Sequence, residues 1–268
     1  MPGTMLKLAP LRAQPIAPLL ARTKRWLALA LIATSSSFTV RSALAQATPQ
    51  QDSSALARAI AQAYGIDGWD QIEQIDFTFN VKSSNGTVSR QWTWRPHDDQ
   101  VTLRRPDAEP ITYHRRDLNF GKDIPQETPQ EVIQADRQFI NDSYWLLFPF
   151  QIAWSNPTLT DAGEAPLPIG QGVARKVIVQ YPAQGGYTPG DAYDLYLDAN
   201  HHIQQWVFRR GGGEKGSPIT WQGLAQLGPI LLHLEHAGPD GSVRLWFSNV
   251  QARLRDSDTP VTPQPVEP

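Results

Sequence analysis

From residue 75 to residue 250 the chain is written largely as short apolar–polar alternations, broken by glycine, proline and asparagine. That rhythm leaves room for little besides an antiparallel sheet. Ile75-Asp76-Phe77-Thr78-Phe79-Asn80-Val81 alternates without a fault, so its apolar groups share one face. Ser83-Ser84-Asn85-Gly86 supplies a hairpin turn, because Asn-Gly accepts positive φ. The return strand puts Val88, Arg90, Trp92 and Trp94 on one face. Further strands are predicted over 101–104, 111–115, 173–181, 191–198, 203–209, 218–221, 230–236 and 243–250. The turns between the later ones fall at Gly185-Gly186, Ala199-Asn200, Gly211-Gly212-Gly213 and Pro239-Asp240-Gly241.

Two helices interrupt this pattern. Residues 55–64 carry Leu56, Ile60 and Ala63 at helical spacing, with Ser53 or Ser54 as N-cap and Gly65 as the stop. Thr128-Pro129-Gln130-Glu131 combines a capping box with proline at the first helical position, and predicts a helix to about residue 143 with Val132, Ile133, Phe139 and Ile140 turned inward. It delivers the chain into Tyr144-Trp145-Leu146-Leu147-Phe148-Pro149-Phe150, the most apolar run beyond the leader, and a Pro/Gly-rich connection follows over 156–172. About ten strands in sequential hairpins with two helices make an α+β fold: mainly antiparallel β, curled into a half-open barrel with helices covering the open side. Both faces need cover, since Trp206 and Phe208 oppose Ile203 and Val207, and Trp246 opposes Leu245 and Phe247.

The first 47 residues hold six basic side chains and no acidic one. Lys24-Arg25, a short apolar run over 26–34 and overlapping A-x-A sites ending at Ala45 or Ala47 describe a signal peptide over 1–47, with Met1 or Met5 as the start. Cleavage leaves 18 basic against 26 acidic groups, a net charge of −8 that argues against binding nucleic acid or anionic lipid surfaces. Export points to the periplasm in a Gram-negative cell, and the run is too short to hold the chain in a membrane. There is no cysteine, which excludes acyl anchoring, thiolate zinc and cysteine nucleophiles. The folded domain is placed at 48–256, acting as a monomer, and 257–268, with four prolines from Asp258 onward, reads as a disordered tail.

With these elements in order, the chain resembles the LolA/LolB-like superfamily of bacterial lipoprotein-localisation factors, over about residues 55–255. The segments 139–150 (FINDSYWLLFPF), 187–198 (YTPGDAYDLYLD) and 206–210 (WVFRR) are similar to those of an uncharacterised exported family assigned to it. The resemblance implies an unclosed antiparallel barrel plugged by helices and an interior that takes acyl chains. No lipid-contacting or catalytic residue of the named factors maps onto this chain.

The residues that would line such an interior are Trp92, Trp94, Tyr113, Tyr144, Trp145, Phe148, Phe150, Trp206, Phe208 and Trp221. Broad apolar rings suit a cavity for a lipid or lipoprotein acyl chain, and they equally suit a filled core. No cofactor or metal is expected. His233 and His236 bracket Glu235, but a spacing of three on a strand sends them to opposite faces, and the six histidines read as solvated or capping groups. Ser143 and Ser217 lack a nucleophile elbow. Of the clustered carboxylates, Asp194 and Asp198 read as solvent-facing and Asp191 as a turn acceptor. The pairs Arg104-Arg105, Arg115-Arg116 and Arg209-Arg210 read as edge charges, or as a greeting for an anionic headgroup. The functional expectation is a carrier or chaperone-like binder of a hydrophobic ligand, not an enzyme. The alternatives are an envelope interaction module with a filled core, and a hydrolase with an unrecognised site.

Overall fold

The computed structural model describes residues 49–121, 124–184 and 189–266. The leader expected over 1–47 and the turn at Gly185-Gly186 lie outside the described residues. Helix α1 (Pro49–Ala63) leads into a 3-10 turn over Ile66–Gln71 and a first run of strands: β1 (Ile72–Ser83), β2 (Gly86–Arg95), β3 (Gln100–Arg105) and β4 (Ala108–His114). After helix α2 (Gln130–Ser155) come β5 (Thr158–Pro166), β6 (Val173–Gln180), β7 (Ala192–Leu197), β8 (Ile203–Arg209) and β9 (Ser217–Thr220). The chain closes with β10 (Gln222–Leu227), β11 (Ile230–Ala237), β12 (Arg244–Leu254) and β13 (Gln264–Pro265).

These strands form two antiparallel sheets. One has eight strands in the order β13-β10-β11-β12-β1-β2-β3-β4, the other five in the order β5-β6-β7-β8-β9. Neither closes into a barrel. The register of the first hairpin sets Phe77 opposite Trp92 and Ile75 opposite Trp94, so the alternating apolar groups stack on one face, and Gly86 takes φ +107° after the turn. Between the Asp76 and Thr78 pairings β12 carries an extra residue, with Asn249 at φ +51°, and such a bulge bends and twists the sheet. The central strands therefore curl around what lies on the concave side.

What lies there is α2. Phe139, Leu146, Leu147 and Phe150 join the core of the large sheet, while Phe148 and Ile152 join that of the small sheet and α1; Tyr144 and Trp145 pack against both. Trp221 is the single residue between β9 and β10, so the chain steps from one sheet to the other across one indole. α1 ends at Ala63, and the turn after it passes through Gly65, whose φ of +84° and close approach to Pro229 leave no space for a Cβ.

Several elements differ from the sequence expectation. The connection over 156–172 contains β5, an edge strand with mostly exposed residues and no apolar alternation to announce it. The tail is partly ordered: Val261 exchanges both backbone hydrogen bonds with Ala252, and β13 pairs with β10 at the sheet edge. Proline composition argued for disorder there, but an edge strand needs only alternate N–H groups, and it tolerates Pro265. Ser53 caps nothing. α1 begins at Pro49, and the Ser53 hydroxyl instead accepts from the Leu159 N–H at 2.7 Å and donates to the Pro157 carbonyl, tying α1 to β5.

Candidate functional site

α2 positions most of the candidate groups. It starts after Pro129 without a side-chain cap, so Thr128 does not act as the expected capping residue, and it runs on to Ser155 rather than stopping near residue 143. The break signalled by Pro149 is internal. Leu147 leaves helical geometry (φ −121°, ψ 21°), and Pro149 has no N–H to give the Trp145 carbonyl four residues back. Two ion pairs fix the helix before this kink. Arg90 grips Asp142 with a two-pronged bond (2.7 and 2.6 Å), and the Trp92 indole N–H adds a third at 2.8 Å. Burial pushes the Asp142 carboxyl up, and the Arg90 fork, Asn141 and Trp92 pull it back. Arg115 pairs with Asp136 one and a half turns earlier.

The ten predicted rings fall into groups. Trp92 and Trp94 sit edge-on to Phe139, each at 5.5 Å between centroids, and belong to the large-sheet core with Tyr113. Phe150 turns to Trp69 and Trp154 at the far end of α2. A tighter group gathers between the sheets. Trp145 lies 4.7 Å from Trp206, Phe148 lies 4.9 Å from Trp206 and 6.4 Å from Trp221, and Trp206 lies 5.1 Å from Trp221. Tyr144 meets Phe148, and Phe208 reaches the group through Tyr193. Trp92, Phe148, Phe150, Trp206 and Trp221 are buried, and of these Phe148, Trp206 and Trp221 touch one another.

Sequence reasoning missed two members. His233 and His236, read as solvated or capping, are 5% and 1% exposed, and both lie against Trp221 at 5.6 and 4.6 Å. No ring nitrogen of either histidine makes a hydrogen bond of good geometry, although the backbone of Trp221 and Gln222 approaches His233 and that of Thr220 and Trp145 approaches His236; the indole N–H groups of Trp206 and Trp221 have no partner at all. Burial drives both imidazoles to the neutral form, His233 to about 4 and His236 to about 3. The available signal was two histidines set among leucines in Leu231-Leu232-His233-Leu234-Glu235-His236.

The polar candidates separate. Asp194, expected to face solvent, is buried between Lys176 (3.0 Å) and Arg209 (2.8 Å), a structural ion pair across the small sheet. Asp191 accepts from the Gly211 N–H at 2.7 Å, and Asp198 from Asn200 and His202, as turn residues do. The arginine pairs do not converge: Arg104 and Arg105 are exposed, Arg115 holds Asp136, Arg116 bonds Asp98 and Asp99, and Arg209 holds Asp194. Among the described residues no group of three metal-ligating side chains gathers, and no helix is long and apolar enough to cross a membrane. A surface cleft of about 310 Å³ between α1 and the end of α2 is lined by Arg58, Trp69, Asp70 and the half-exposed Trp154.

With this geometry in view, comparison with known proteins is structural only. No family model matches the chain, and no curated protein matches its sequence. The resemblance is to LolA-like folds. A LolA superfamily protein from Nitrosomonas europaea aligns with 75% of this chain and 93% of its own at 8% identity and a TM-score of 0.44. A domain named for outer membrane lipoprotein sorting, from Vibrio parahaemolyticus, covers 78% and 95% at 10% identity and 0.42. A DUF1329 family protein from Desulfovibrio piger covers 79% and 96% at 10% identity and 0.42. The fold class itself rests on the strand order and register described above.

Proposed function

We propose that this chain is an exported, non-enzymatic carrier that accommodates a hydrophobic ligand, a lipid or acyl chain, between its two sheets, with α2 as the plug. The observation that carries the reading is the kink at Leu147–Pro149, which falls within the stretch whose rings, Trp145 and Phe148, fill the seam. Exchange would trade ring-on-ring contact for ring-on-chain contact. Because apolar burial is worth about 25 cal/mol per Å² whichever partner supplies the surface, the plug and a chain of similar area compete on nearly equal terms. Loading and release then need an open state only a few kcal/mol above the closed one. Lipid mass spectrometry on the chain purified without detergent, with displacement of the apolar probe N-phenylnaphthylamine, tests this. Stoichiometric lipid and saturable displacement support a carrier, and absence of both overturns it.

A second reading is favoured by the same rings being in mutual contact. If they are permanent core, the exposed start of β4 at Ala108–Pro110 offers an open edge to an envelope protein. No co-purified lipid together with no probe binding is the outcome that selects it.

A further inference from the structure

Trp221 stands where the chain crosses between the sheets, and around it the core is polar where it should not be. Nε1 of Trp206 and Nε1 of Trp221 are buried without a hydrogen-bond partner, and the ring nitrogens of His233 and His236 are buried with only poorly aligned backbone neighbours, at Trp221 and Gln222 for the one and at Thr220 and Trp145 for the other. The four residues are 2, 4, 5 and 1% exposed, and the other three rings all lie within 5.6 Å of Trp221. Folded proteins leave few such atoms unpaired, because each forfeits its bond to water and gains nothing. Their concentration at one point marks a place for a group that bonds to them.

We propose that Trp206, Trp221, His233 and His236 form the polar end of the ligand site, taking one oxygen acceptor, a carboxyl or an ester carbonyl, at the head of an alkyl chain. This rests on the carrier reading above and specifies its ligand. The donor inventory sets the class: an indole N–H only donates, and a neutral imidazole donates from one nitrogen and accepts on the other. An ammonium head would meet two groups that cannot accept. Asp198, the acid whose charge acts on His233, is already engaged with His202. Trp145 is the group in the way. Its ring covers Trp206 and lies 5.5 Å from His236, two residues before Leu147, so a swing of the helix at its kink uncovers the donors.

The site's protonation follows. His233 is held neutral by burial and by His202, against the backbone at Gln222 and Trp221 and the charge of Asp198, with the Tyr64 ring packed on it; His236 is held neutral by burial and by His233, against the backbone at Thr220 and Trp145. A carboxylate entering this surround brings one proton from solvent, carried either on its own oxygen or on an imidazole, so the buried site stays neutral. An ester brings none.

Isothermal titration of the full chain with dodecanoic acid, methyl dodecanoate and dodecylamine, in two buffers of different ionisation enthalpy, tests the assignment. Acid or ester is expected to bind about tenfold or more tighter than the amine, and the acid to take up about one proton. Trp206→Phe and Trp221→Phe keep a ring and remove one donor. Each is expected to weaken the acid or ester about three- to tenfold more than it weakens N-phenylnaphthylamine, with the near-UV circular dichroism of each variant as the control for the fold. Three amphiphiles binding alike, or donor deletions without effect on a tight acid or ester, overturn the polar subsite and leave the carrier standing. Binding of neither probe nor amphiphile removes the carrier reading and this site with it.

Discussion

Asp142 has no solvent exposure and receives three kinds of donor: the Arg90 fork, the Trp92 indole and Asn141. Removing the carboxylate leaves the partly buried Arg90 guanidinium and the buried Trp92 N–H without their acceptor, a loss of about 3 kcal/mol, the low end for a broken buried pair because the guanidinium keeps some solvent. Asp142→Ala is therefore expected to lower the denaturant midpoint of unfolding sharply without changing its slope, and a shift equivalent to under about 1 kcal/mol would show that the pair holds nothing. The rings divide differently. Trp145, half-buried at the kink, and Trp94, packed on Phe139, are expected to weaken N-phenylnaphthylamine binding on replacement by alanine more than they lower the melting temperature. Equal loss of both would make them plain packing. At this scale the aromatic set was legible in the sequence, because ring size and apolarity are local properties. The partners of Asp142 and the burial of His233 and His236 were not, since each depends on a second layer that one strand's alternation does not specify.

For the elements, α2 is the informative case. Thr128 to Phe150 reads as a helix ended by an apolar run with a proline, yet the helix absorbs the proline and bends, because both sheets supply apolar surface on either side of it. Tertiary packing outweighed the local signal. Pro149→Ala returns an N–H to the Trp145 carbonyl and straightens the preferred path. The expected outcome is probe release slowed severalfold in stopped-flow measurements, with equilibrium stability altered by less than about 3 kcal/mol, the full worth of proline in an ordinary helix interior. An unchanged release rate would show that the kink does not serve as a hinge. The strands β1 to β4 and β6 to β8 were legible from alternation. The strands β5, β10 and β13 were not, since exposed edge residues and short strands leave no two-sided pattern to read.

Across the molecule, the meander could be read but its division into two sheets could not, because nothing in a period of two says that Trp221 is where pairing changes partner. That crossing makes the histidines a property of the whole fold. In the unfolded chain both imidazoles titrate near 6.5, whereas burial holds His233 down to about 4 and His236 to about 3 in the folded one. Below 6.5 the unfolded state binds more protons, so the sign of the linkage makes stability fall as pH drops, from about 6.5 through 4 for His233 and on to about 3 for His236. Above 6.5 the two contribute no slope. Acidification is thus expected to drive a cooperative loss of the tryptophan near-UV signal as the sheets part at this seam. His236→Gln, which removes the titration and keeps a polar group of similar size, is expected to flatten the dependence over that window even if it lowers stability at pH 7. Denaturant midpoints measured from pH 4 to pH 7.5 for both proteins check this. Parallel curves would mean that His236 does not govern acid unfolding.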